Sequence, residues 1–165
     1  EMSRGLGDVY KRQASMLICE MAAYYKSQGK TLIDVMNGLY DEFGCYCNTV
    51  QSYTFEGAAG MEKMAAIMDG LRDNKPSSFA GYEVTKIDDY KTSKSTIVKT
   101  GEESEITLPK SNVLAYTLTN GNKVIVRPSG TEPKIKAYIT AIGQSEENAK
   151  EIAQRLLNDA NELMK

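Results

Sequence analysis

The sequence has no histidine and no tryptophan in its 165 residues. Without imidazole there is no Ser-His or Cys-His nucleophile pair in the chain, and the commonest metal ligand is missing as well. Cysteine is sparse, at Cys19, Cys45 and Cys47. An odd count, with one cysteine in an apolar helical pattern and two at i,i+2, makes neither a disulfide framework nor a zinc site, so reduced core thiols are expected. No apolar run approaches the length of a membrane span and no secretory leader opens the sequence, so a soluble, cytoplasmic protein with no membrane partner is expected. Charge is nearly balanced, 20 Lys and Arg against 22 Asp and Glu. The clustered basic residues of a general nucleic-acid surface are absent, and no nucleic-acid partner is expected. What is present is ordinary globular material, 41% apolar and 25% charged, enough for one domain or for a small domain plus part of another.

Along the chain, Leu17, Ile18, Met21, Ala22 and Tyr25 recur at helical spacing and predict a helix over Ala14 to Ser27. Gly29 can end it, and Thr31 is placed to cap a second helix that presents Leu32, Val35, Met36, Leu39, Tyr40 and Phe43. Two helices with apolar faces and no sheet of their own make a poor core. From Cys45 to about Phe55 the pattern changes to a period-two strand. After Gly57, helical spacing returns in Met61, Met64, Ala65, Met68 and Leu71, a face that reads as sheet-packing core. A connector at Asn74 to Ser78, a strand at Tyr82 to Asp88 and a polar excursion or short hairpin around Ser93 to Ser104 follow. Two further strands, Asn112 to Thr119 and Lys123 to Val126, are joined through Asn120-Gly121, residues that both accept positive φ in a hairpin turn. A strand at Lys134 to Ala141 precedes a closing helix, capped by Ser145, that should bury Ile152, Ala153, Leu156, Leu157, Ala160 and Leu163.

The chemistry concentrates in Arg127-Pro128-Ser129-Gly130-Thr131-Glu132-Pro133-Lys134, a loop between two predicted strands. Its prolines stiffen it, and Gly130 is read as permitting backbone angles closed to other residues. A guanidinium, two hydroxyls and an ammonium are the donors a phosphate dianion uses, and backbone N–H groups near a glycine can add a nest. The alternative reading of the same residues is a plain polar turn.

That loop, with Leu108-Pro109-Lys110-Ser111-Asn112-Val113-Leu114 ahead of it, resembles the C-terminal domain of the α-D-phosphohexomutases, the phosphoglucomutase and phosphomannomutase superfamily. The resemblance runs from about Ala14 to Lys165. It implies an α+β fold with TATA-binding-protein-like architecture, an antiparallel sheet with helices on one face, preceded by two helices left from an α/β domain. The implied organisation is an anomalous segment at 1–13, a helical remnant of the family's third domain at 14–44 and its C-terminal domain at 45–165. The Lys-Asp-Gly segment that precedes the first helix in the family is replaced here by Gly7-Asp8-Val9-Tyr10-Lys11-Arg12-Gln13, which suggests a truncated or mis-assembled start.

By the same resemblance, Arg127, Ser129, Gly130, Thr131 and Lys134 bind a substrate phosphate, Lys134 least directly. The parent would be a cytoplasmic isomerase of carbohydrate metabolism, an intramolecular phosphotransferase interconverting hexose 1-phosphates and hexose 6-phosphates. It would use a phosphoserine and Mg2+. The Ser-His-Asn-Pro context of that serine and the Asp-Gly-Asp metal loop are not in this sequence. The chain is therefore expected to contain no catalytic or metal-binding residue, to be inactive alone, and to depend on the parent's upstream domains as partners. Phosphoglucosamine mutase and a stand-alone anion-binding module are the alternatives, and the Pro-Lys-Ile-Lys ending of the loop favours the glucose and mannose enzymes. Gly101-Glu102-Glu103-Ser104 has the letters of the family's sugar-recognition loop, but it follows the helix at Ala14 instead of preceding it and is read as coincidence.

Overall fold

The structure, a computed structural model, describes residues 2–57 and 59–164, with side chains described from Arg12 onward apart from residue 58. The chain divides into two compact units between Gly44 and Cys45.

The first unit is a pair of helices, α1 (Met2–Ser27) and α2 (Leu32–Phe43). Helix α1 begins earlier than the predicted Ala14, because no proline interrupts Met2 to Gln13 and the early glycines only weaken helix propensity. The segment expected to be anomalous falls mostly on residues whose side chains lie outside the described ones. Thr31 caps α2 in a reciprocal box: the Asp34 N–H donates to Thr31 Oγ1 at 3.2 Å, and the Thr31 N–H donates to Asp34 Oδ2 at 2.7 Å. The hydrogen bonds from the Thr31 hydroxyl and then its amide hold the Asp34 carboxyl below the usual carboxylate range. The apolar faces stay largely uncovered, with Leu17 59% and Leu39 45% exposed.

The second unit runs β1 (Cys45–Thr54), α3 (Gly60–Asp73), β2 (Ser78–Phe79), β3 (Tyr82–Asp89), β4 (Lys94–Ile97), β5 (Glu103–Glu105), β6 (Leu114–Leu118), a 3-10 turn (Thr119–Gly121), β7 (Lys123–Pro128), β8 (Lys134–Gly143) and α4 (Glu146–Leu163). Its sheet has the order β1-β8-β7-β6-β3-β4-β5, with β2 pairing β3 and neighbours antiparallel throughout. This is the α+β class expected from the sequence.

The pleat sorts side chains by parity. In β8, Ile135, Ala137, Ile139 and Ala141 are buried while Lys136 and Tyr138 are exposed; in β7, Val124 and Val126 are buried while Lys123 and Arg127 are exposed. The buried set joins Met64, Met68 and Leu71 of α3 and Ile152, Ala153 and Leu156 of α4 in one core. Each large aliphatic side chain so buried contributes about 1.5–3 kcal/mol. Helix α4 starts where expected, with Ser145 Oγ accepting from the Asn148 N–H at 3.1 Å. Gly143 lets the end of β8 run against α4, since a Cβ there would strike the backbone of Ala149.

Of the two readings of the polar stretch near Ser93, the structure forms the short hairpin, β4–β5, in which Lys94 donates to the Glu103 carboxylate at 2.7 Å. Other expectations need correction. The connector before Tyr82 contains β2, missed because Ala80, with φ of 52°, occupies a left-handed turn position beside Gly81 that alanine rarely takes. Met61 and Ala65 are exposed, since the inward stripe of α3 is Gly60, Met64, Met68 and Leu71. At the end of α4 it is Met164 that is buried, while Leu163 faces outward. All three cysteines are free; Cys19 is exposed and Cys45 half-buried, while Cys47, also half-buried, packs against the core. The Asn120-Gly121 turn forms as read, with φ of 66° and 83°.

Leu156 is fully buried beneath the sheet, so Leu156→Ala should lower stability by about 2–5 kcal/mol in urea unfolding. Leu17→Ala, on the uncovered face of α1, should cost less than about 0.5 kcal/mol. Equal losses would contradict this distribution of the core.

Candidate functional site

The loop singled out in the sequence joins β7 to β8 at one end of the sheet. Pairing runs to its base, with Val126 opposite Ala137, Arg127 opposite Lys136 and Pro128 opposite Ile135. The loop is then closed by two short backbone hydrogen bonds: the Ser129 N–H donates to the Lys134 carbonyl and the Lys134 N–H to the Glu132 carbonyl, each at 2.7 Å. Ser129 Oγ accepts from the N–H groups of Thr131, at 3.4 Å, and Glu132, at 3.3 Å, leaving its own O–H free to donate outward.

A second element braces the loop from outside. The Phe55 N–H, just past β1, donates to the Pro133 carbonyl at 2.9 Å. The start of α3 comes so close that a Cβ on Gly60 would strike the Phe55 carbonyl oxygen and lie 3.0 Å from Pro133 Cβ. Stiffness therefore comes from the packing of Pro133 as well as from the two fixed proline φ angles.

Arg127, Pro128, Ser129 and Gly130 line a shallow cleft of about 250 Å³ together with Lys136 and Tyr138, two residues the sequence reading did not select. Their signal was there: strand alternation from Lys134 puts Lys136 and Tyr138 on one face. Among the described residues, no carboxylate lies within ion-pair distance of Arg127. Like charges directly opposite one another in a sheet are unfavourable, yet Arg127 and Lys136 are cross-strand partners on the exposed face.

Of the other selected residues, Gly130 lines the cleft while Thr131 and Lys134 do not. Lys134 donates to Glu132 Oε2 at 3.0 Å and is not part of the cleft lining. That hydrogen bond, with the Lys134 charge and then Lys136 behind it, holds the Glu132 carboxyl below the usual carboxylate range. Thr131 is exposed and also lies outside the lining. Gly130 is not in the left-handed region, so its role is not the backbone angle first read into it. A Cβ there would meet only open space, and the missing side chain leaves the mouth of the cleft clear. Among the described residues, the Gly130 N–H has no protein acceptor. The cleft thus gathers a planar cation, a point cation, a hydroxyl and a backbone amide, and no anion.

A family model described as the phosphoglucomutase/phosphomannomutase C-terminal domain matches residues 61–158. A phosphoglucomutase of Staphylococcus haemolyticus is 35% identical over 142 residues, which cover 86% of this chain and 25% of that protein. One from Staphylococcus aureus is 40% identical over 124 residues, 75% of this chain and 22% of the relative. Among solved structures, the open form of the Paramecium phosphoprotein pp63/parafusin, a phosphoglucomutase, aligns with a TM-score of 0.52 over 87% of this chain and 25% of its own, at 16% identity. That likeness concerns the fold alone. The chain spans about a quarter of the length of the relatives it matches. With the model matching from α3 into α4 across the whole β7–β8 loop, the chain belongs to the phosphoglucomutase/phosphomannomutase family and carries that family's C-terminal domain.

Proposed function

We propose that the cleft holds the phosphate of a hexose phosphate that is not being transferred, within an enzyme that interconverts hexose 1-phosphates and 6-phosphates. The observation that carries this reading is the pair of facing cations, Arg127 and Lys136, with no carboxylate paired to Arg127 among the described residues. A pair that costs stability in the free protein is accounted for if a dianion relieves it. Arg127 offers a fork to two phosphate oxygens, Lys136 a point charge, and Ser129 and Gly130 neutral donors. Thr131 and Lys134 reach the anion only if the loop adjusts when it binds.

Phosphoryl transfer is dominated by positioning and charge stabilisation, so a clamp on the remote phosphate supplies orientation to chemistry occurring elsewhere on the sugar. The nucleophilic serine and the Mg2+ would belong to other parts of the enzyme. Among the described residues, no group of three or more Cys, Asp or Glu side chains is arranged to hold a metal ion. The relatives carry the name phosphoglucomutase, which favours glucose phosphate over an amino sugar.

Calorimetric titration of the full chain with inorganic phosphate tests the clamp. Arg127→Ala should weaken binding by roughly ten- to a hundredfold, the range for losing a charged hydrogen-bond partner. Arg127→Lys should restore only part, and Ser129→Ala and Thr131→Ala should cost less. An unchanged affinity in Arg127→Ala would overturn the assignment.

Glu132→Gln removes the negative charge of the loop and releases Lys134, so phosphate should bind severalfold tighter; weaker binding would mean that the Glu132–Lys134 pair is needed to shape the loop. In a coupled mutase assay with Mg2+ and a hexose bisphosphate activator, the chain alone should show no turnover. Activity above a contaminant control would contradict the proposal that the reacting groups lie elsewhere.

A further inference from the structure

Tyr138 is the one aromatic side chain lining the cleft, and phosphate binding alone gives it no task. It projects from the same face of β8 as Lys136, with Ile125 of β7 and Val50 of β1 as its cross-strand partners. An aromatic ring between two β-branched side chains is a favourable sheet row, yet Tyr138 remains 37% exposed. Among the described residues, its hydroxyl has no hydrogen-bond partner. The cleft, about 250 Å³ and open to solvent, leaves room beside a phosphate group.

Resting on the phosphate-clamp reading, we propose that Tyr138 is a sugar-contacting residue: its ring forms an apolar platform for the C–H face of the hexose, and its hydroxyl meets a sugar hydroxyl. A pyranose presents one largely apolar face and a polar rim. A tyrosine offers the matching combination, a flat apolar body with a polar tip, at small conformational cost. Charged and polar groups make up most of the remaining lining, apart from Pro128. The cleft would then distinguish a hexose phosphate from a bare phosphate, a preference the loop residues cannot supply by themselves.

The test compares inorganic phosphate with glucose 6-phosphate by calorimetry on the full chain, at about pH 8, where both are largely dianionic. In the native chain, glucose 6-phosphate should bind roughly three- to tenfold more tightly, the range of a single aromatic contact. Tyr138→Ala should abolish that preference while leaving the affinity for inorganic phosphate unchanged, and Tyr138→Phe should keep most of it. Circular dichroism of each variant reports whether the sheet is intact. A preference retained in Tyr138→Ala, or no preference in the native chain, overturns the platform and leaves the clamp standing. No response to either ligand in the native chain overturns both. A parallel loss of both affinities in Tyr138→Ala, with its fold intact, also overturns the platform, because Tyr138 would then be supporting the loop.

Discussion

The alternation of the β-strand is the constraint on which both the fold and the cleft depend. In β7 and β8, one parity buries Val124, Val126, Ile135, Ile139 and Ala141 beneath the helices. The other parity has no choice but to present Arg127, Lys136 and Tyr138 together on the opposite face. A slip of one residue in either strand would send the cations into the core and the aliphatics into water. Hydrophobic burial therefore enforces the register that assembles the cleft, and it does so without any contribution from the cleft residues.

The loop between those strands is over-determined. Two short backbone hydrogen bonds close it, the Ser129 hydroxyl gathers two of its amides, and Pro133 is braced by Phe55 beside Gly60. Donors held in place before a ligand arrives lose little entropy when they bind it. Strand pairing sets Arg127 directly opposite Lys136 at the base of that loop. A sheet selected for stability alone would place a carboxylate opposite Arg127. The only loop carboxylate, Glu132, is instead engaged by Lys134.

Much of this was legible in the residues. Period-two alternation located the strands on either side of the loop, Asn120-Gly121 marked the turn between β6 and β7, and Ser145 marked the start of α4. Arg127 and Ser129, selected as a fork donor and a hydroxyl in a proline-stiffened loop and by the family resemblance, both line the cleft. What could not be read was cross-strand proximity. Lys136 and Tyr138 join the cleft through pairing register, which a motif search confined to consecutive residues passes over. Lys134 was selected as part of the loop, and only the fold shows it tied to Glu132. Gly130 was assigned a backbone role from composition, but it lies outside the left-handed region and a Cβ there would meet open space, so neither its backbone angle nor crowding requires a glycine. In the first unit, helical spacing was clear, but exposure of the apolar faces depends on what packs against them, which periodicity does not encode.

The most direct test of the central claim, that the β7–β8 loop and the exposed face of β8 form one preorganised anion site, is a phosphate titration of the full chain followed by backbone amide chemical shifts. Saturable shifts are expected, largest at Ser129 and Gly130 and extending along β8 to Lys136 and Tyr138, with helix α4 on the other face of the sheet unmoved. Shifts that are absent from Gly130 at millimolar phosphate, or that centre on other lysines away from the loop, would contradict it.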